Sequence, residues 1–220
     1  MRIATWNIER LKHKKSIKDI VFECESRKAD ILVLTETDSQ VMPKYNSCFQ
    51  TASLKGIIEP AIYNDTENRV SIYTNYKCVR QHNTYDEETS VCVDLDTERG
   101  TLTIYGTIIG IVGNRSSSYL SDLQKQLRDI EQLVRSGCNV CMIGDFNCSF
   151  SDNYYYTSVG RNSLLDFFNK NDVSVLTANC SECIDHIAIS NSFLQNKNTE
   201  ILEWNYHKRL SDHKGILVDI

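Results

Sequence analysis

Proline is nearly absent: Pro43 and Pro60 are the only two in 220 residues, and no Gly/Ser/Pro-rich stretch divides the chain. Without such a linker, residues 1–220 read as one domain, a size that a single large unit accommodates. No run of about 18 apolar residues occurs, so no segment is a candidate for a membrane-spanning helix. Positive charge is in deficit, with 24 Lys and Arg against 29 Asp and Glu and a formal net charge of −5. That balance argues against a tight, nonspecific grip on a polyanion, which needs many cationic contacts. It leaves room for a substrate held in a local basic cleft.

The opening MRIATWNIER carries charged residues and no apolar core, so no secretory signal is expected and a reduced, cytoplasmic setting follows. The nine cysteines are odd in number, and several fall inside strand-like runs; this does not suggest a disulfide framework. Cys138 and Cys141 flank a strand entry where residues three apart face opposite sides. Cys180 and Cys183 make only half of a tetrahedral zinc site. Structural zinc is therefore not expected.

What is present alternates. RIATWNIE reads as a strand, and residues 14–28 place Ile17, Ile20, Val21 and Cys24 at helical spacing. ADILVLTET is a short buried strand. RVSIYTNY, TSVCVDLD and TLTIYGTIIGIV are β-branched and aromatic, with turn residues between them. Residues 116–137 form an amphipathic helix that Ser118 or a neighbour can cap and Gly137 ends. NVCMIGDFNCSF is a strand, GRNSLLDFFNKN a helix, and DVSVLT, IDHIAIS, ILEWNYH and DHKGILVDI are mostly strands. The expectation is an α/β protein with sheets packed together and helices outside.

Apolar strands in this chain begin or end in polar groups. Asn7 and Glu9 close the first, Glu36 the second, and Asp145 with Asn147 follows MIG. Asp185 and His186 open IDHIAIS, while Asp212 and His213 open the last strand. Taken singly, each reads as a solvated turn residue. Together, oxygen donors without a convincing Cys/His set suit a hard cation such as Mg2+, and clustered carboxylates need such compensation. A histidine beside them can donate a proton or stabilise developing charge. That inventory points to metal-assisted hydrolysis of phosphate esters.

In order along nearly the whole chain, TWNIERL, LVLTET, MIGDFN, CIDHI and LSDH resemble the signature segments of the endonuclease/exonuclease/phosphatase superfamily. The resemblance implies a four-layered α/β sandwich: two mixed sheets face to face, flanked by helices, with the site at one edge. It implies that Glu36 ligates Mg2+ (with Mn2+ as a substitute), that Asn7 stands close by, and that Asp212 joins the metal network. Asp145 would orient or activate water, Asn147 would contact the scissile phosphate, and His213, oriented by Asp185, would bind the phosphate or stabilise its transition state. GDFNCSFSDNYYYTSVGRNSLLDFF, SVLTANCSECIDHIAIS and TIYGTIIG look like a compact bacterial branch, by which Tyr155, Tyr156 and Thr107 line the cleft. Many members carry a His, or a Tyr with a following Asn, where this chain reads YGTIIGIVGN. Ile108 and Ile109 cannot donate a proton, so Thr107, Asn114, Arg115 or metal-bound water would assist the leaving group.

Three functions fit. The first is a nuclease acting on DNA or RNA, whose backbone Arg10, Lys12, His13, Lys14 and Lys15, with Arg69, Arg115 and Arg161, would contact. The second is a phosphatase or phosphodiesterase of small molecules such as inositol phosphates, nucleotides or phospholipid head groups. The third, a binding module without activity, is disfavoured because all the central polar positions are present. No membrane association and no obligate protein partner are expected.

Overall fold

The computed structural model describes residues 1–12, 16–54, 62–195 and 199–220. Its strands in chain order are β1 (Arg2–Asn7), β2 (Ile31–Asp38), β3 (Ser47–Gln50), β4 (Glu67–Thr74), β5 (Lys77–His82), β6 (Ser90–Thr97), β7 (Gly100–Ile108), β8 (Val140–Asp145), β9 (Val173–Val175), β10 (Asp185–Ser190), β11 (Glu200–Trp204) and β12 (Gly215–Asp219). They form two six-stranded sheets, ordered β11-β12-β1-β2-β4-β3 and β5-β6-β7-β8-β10-β9. The β1–β2 and β7–β8 pairs are parallel and the other ladders antiparallel. The parallel pairs are joined by helices, as parallel neighbours require. These are α1 (Ile17–Ser26) and α2 (Tyr119–Arg135), with α3 (Ser158–Lys170) and a short α4 (Asn191–Leu194) following. Among the described residues no helix is long and apolar enough to cross a membrane.

Strand alternation divides the apolar residues among three main cores, with a small fourth cluster of Cys180, Cys183 and Ile216. Ile3, Ile31, Val33 and Ile72 of the first sheet meet Val93, Ile104, Ile143 and Ile187 of the second. On the first sheet's outer face Trp6, Leu32 and Leu34 pack with Ile20 and Cys24 of α1. On the second sheet's outer face Tyr105, Met142 and Phe146 pack with Leu123 of α2 and Leu164 of α3. The result is the four-layered α/β sandwich. Cys141 lies in the inter-sheet core while Cys138 packs on the helical side, as their spacing on a strand predicts. All nine cysteines are free.

Two sequence expectations shift. The last strand begins at Gly215, which leaves Asp212 and His213 in the loop before it. Gly215 lies against the Trp204 ring, where a Cβ would come within 2.0 Å. Ser118 precedes α2 without a side-chain cap, whereas Thr157 caps α3 by accepting from Gly160 N at 3.2 Å.

Candidate active site

The inter-sheet core turns polar at one end. Asn7 follows Ile3 and Thr5 on the inward face of β1, and Asp145 follows Cys141 and Ile143 on β8. Asp185 stands two residues before Ile187 on β10 and pairs across the ladder with Asp145. These residues continue the core pattern and are buried, yet they carry polar heads. The Asn7 amide bridges two carboxylates, donating to Glu36 Oε1 at 3.0 Å and Asp145 Oδ2 at 3.2 Å. Glu36 reaches this point from a left-handed backbone (φ 45°), and the β2–β4 ladder omits it between Thr35 and Thr37. A non-glycine residue with that φ inside a strand is strained, a feature that collects at functional sites.

His213 comes from the loop before β12, which several bonds fix. Ser211 Oγ donates to Asn7 O at 2.6 Å, and the His213 carbonyl accepts from Trp6 Nε1 at 3.2 Å and Asn205 Nδ2 at 2.7 Å. Its Nδ1 lies 2.6 Å from Asp185 Oδ2. Burial opposes the imidazolium, but the charge and hydrogen bond of Asp185, with Asp145 and Asp212 nearby, raise the pKa to about 10. Burial, followed by the facing Asp185 carboxylate, pushes the Asp145 carboxyl up to about 7 against the opposing pull of His213. The cluster therefore pairs a cationic imidazole with a carboxyl group that titrates near neutrality.

Asp145 and Asn147 share the cleft by a turn, not by strand alternation. Strand β8 ends at Asp145, Asn147 has φ 49°, and Asn147 N donates to Asp145 Oδ1 at 2.8 Å. The Asn147 amide donates to the carbonyls of Ile109 and Gly110 at 3.0 and 3.3 Å, so its NH2 braces the loop after β7. Asn114 supports it from behind, donating to Asn147 O at 2.8 Å.

Other expected residues lie elsewhere. Thr107 is fully buried on the helical side and donates to Gln126 Oε1 of α2, so it does not line the cleft. Arg115 is exposed and outside the cavities beside the site. Tyr156 packs against the second helical core, with the Arg161 guanidinium carbon 3.6 Å from its ring centre. Tyr155 does line the cleft, and its hydroxyl accepts from Asn114 N at 3.3 Å. His186, beside Asp185, points outward between Thr177 and Cys148, and burial depresses its pKa to about 4. Two cavities of about 390 and 360 Å³ meet at Asn147, Tyr155 and His213. Glu36, Asp145, Arg10 and Arg69 line the larger. Asp212, whose side chain is 62% exposed, lines the smaller.

The Endonuclease/Exonuclease/phosphatase family model matches residues 4–213. The chain belongs to this family. It is accordingly a phosphoric ester hydrolase. Among solved structures it is similar to an AP endonuclease from Archaeoglobus fulgidus, with TM-score 0.72 and 12% identity over 100% of this chain and 99% of that one. It is also similar to the 3'-5' exonuclease NExo from Neisseria meningitidis, with TM-score 0.68 and 16% identity over 100% and 99% of the two chains. A third is the 3' phosphatase NExo from Neisseria bound to product DNA hairpin, with TM-score 0.67 and 15% identity over 100% and 99%. No curated protein sequence matches significantly.

As a member of this family, the chain offers a hard cation an incomplete set of ligands. Among the described residues no group of three or more His, Cys, Asp and Glu is arranged to hold a metal. The ligand at the cleft is the Glu36 carboxylate, which Asn7 steadies through its NH2 while its own Oδ1 accepts from Glu9 N at 2.9 Å. That set fits an ion bound through one carboxylate, with water and substrate oxygens completing its shell, as Mg2+ prefers. It does not fit an all-protein cage. Sequence reasoning missed Tyr154 and Lys208, which line the smaller cavity with Lys208 Nζ 2.9 Å from the Tyr154 hydroxyl. The tyrosine run was a signal for the first, but nothing marked the second.

Proposed function

We propose that the protein is a Mg2+-dependent phosphodiester hydrolase acting on DNA or RNA. The observation that carries this reading is one cluster in which Asn7 joins Glu36 to Asp145 while Asp185 holds a cationic His213 beside them. Asp145 accepts a proton from the attacking water as its oxygen bonds to phosphorus, while the P–O bond to the leaving oxygen breaks and that oxygen takes a proton from solvent. The His213 imidazolium meets the negative charge that builds on the phosphoryl oxygens, and Asp185 fixes the ring for that contact. Asn7 keeps the two carboxylates in register. Mg2+ bound at Glu36 would supply further neutralisation of phosphoryl oxygens. The solved neighbours support a nucleic-acid substrate, since one was captured with product DNA.

A small-molecule phosphate ester is the second reading. It is favoured by the acidic net charge and by the cleft cations Arg10 and Lys12 being engaged by Glu67 and Glu9. The deciding experiment incubates the protein with Mg2+ and single-stranded, double-stranded and abasic DNA, plus RNA, with EDTA and Asp145→Asn controls. Metal-dependent cleavage lost in the variant is expected. Cleavage of no polymer, with turnover of nucleotide or inositol phosphates, would establish the second reading instead.

A further inference from the structure

We propose that Arg69 is an anion receptor of the larger cavity, holding phosphate oxygens of the substrate beside the Glu36–Asp145–His213 cluster. This rests on the hydrolase reading and assigns its substrate a phosphate or phosphodiester group seated against an apolar wall. Arg69 lies on β4 between Asn68 and Val70, the ladder partners of Thr37 and Thr35, and hence across from Glu36. It is only 4% exposed. Among the described residues its buried Nε and Nη2 have no hydrogen-bond partner. Its Nη1 lies 3.8 Å from the half-exposed carboxylate of Glu88, and its guanidinium carbon is 5.7 Å from the Tyr63 ring centre. A buried guanidinium with unmade bonds is costly unless a ligand or water supplies acceptors.

The cavity is where those acceptors would come from. Arg69 lines it together with Glu36, Asp145, Asn147 and His213. The neighbouring Arg10 is engaged by a carboxylate: its Nε and Nη2 donate to the two Glu67 oxygens at 2.9 and 3.2 Å, and Nη2 also donates to Ile62 O at 3.0 Å. Lys12 Nζ is 2.6 Å from Glu9 Oε1. Among the described arginines and lysines of this cavity, Arg69 is the one whose buried donors lack a hydrogen-bond partner. Ile108, Ile111 and Val112 present the apolar wall. Two free N–H groups of one planar guanidinium match two oxygens of a phosphate. The carbon framework attached to that phosphate packs on the isoleucine and valine side chains.

The test titrates inorganic phosphate into metal-free protein in EDTA, followed by calorimetry. The native protein should bind, and Arg69→Gln should weaken binding about tenfold or more. Arg69→Lys should fall between, because it keeps the charge but loses the fork. Glu88→Gln should leave binding intact. Thermal unfolding checks that each variant is folded. If both Arg69 variants unfold, the Arg69 Nε–H resonance of the native protein must shift with phosphate, and an unmoved signal overturns the site. Equal phosphate binding by native protein and folded variants, or none by native protein, also overturns it. Turnover of bis(4-nitrophenyl) phosphate with Mg2+ separates the two readings. Binding that depends on Arg69 without turnover of any phosphate ester leaves the anion site and removes the hydrolase. Turnover with phosphate binding indifferent to Arg69 removes the anion site alone.

Discussion

At the scale of single residues, two side chains and one missing side chain govern the cluster. Asp185 raises the His213 pKa to about 10, so the imidazolium persists through neutrality and is lost only as the pH climbs toward that value. Replacing Asp185 with Asn removes the charge that supports the cation. The expected result is an alkaline limb of the rate profile displaced toward neutral pH, read from kcat/KM between pH 6 and 10. An unmoved limb would mean that another group sets it. Gly144 is the missing side chain. Its φ is +132° and a Cβ there would sit 2.1 Å from the Thr107 carbonyl oxygen, across the β7–β8 ladder. Gly144→Ala must separate the two strands immediately before Asp145. A loss of roughly 2–4 kcal/mol is expected from strain and overpacking, measured by urea unfolding.

At the scale of elements, helix α2 supports the site without entering it. Asp122 accepts from Gly110 N at 2.6 Å, and Gln126 donates to Ile108 O at 3.0 Å. These bonds fix the loop whose carbonyls hold the Asn147 amide. Asp122→Ala should lower kcat about tenfold with little change in KM, because the loop relaxes around Asn147 while the phosphate contacts remain. Steady-state kinetics decide it, and a change confined to thermal stability would make Asp122 merely structural. Most elements were legible because hydrophobic period and strand length agree locally, as in Leu123, Leu127 and Ile130 of α2. The polar strand ends were legible for the same reason: Asn7, Asp145 and Asp185 interrupt apolar alternation where burial makes them expensive. Thr107 was misplaced because alternation gives two faces without saying which one meets a helix. Asn147 looked like a strand residue because a left-handed turn leaves no mark in a sequence that contains no glycine there. Arg69 was named as a phosphate contact from its charge alone, but its unpartnered guanidinium was not legible, since the residues around it come from β2, the loop before β6 and the loop after β7.

At the scale of the whole molecule, net charge and local charge oppose each other. The protein carries −5 overall, yet substrate enters a cleft that presents the His213 imidazolium, Lys208 and the proposed anion receptor Arg69. His13, Lys14 and Lys15, expected to track a phosphate backbone, lie outside the described residues. Counterion release scales with the number of phosphates neutralised, with a slope of log affinity against log salt of about −0.9 per contact on duplex DNA and about −0.7 on single strands. Three cations predict a slope of about −3 or shallower for an oligonucleotide binding to the Asp145→Asn variant between 50 and 200 mM NaCl. A shallow slope means the protein holds one phosphate well and the rest of a polymer loosely. Short ends or small esters would then suit it better than long duplexes. A slope steeper than about −5 would require six or more phosphate contacts, and the lysines at 14 and 15 would be the first to substitute.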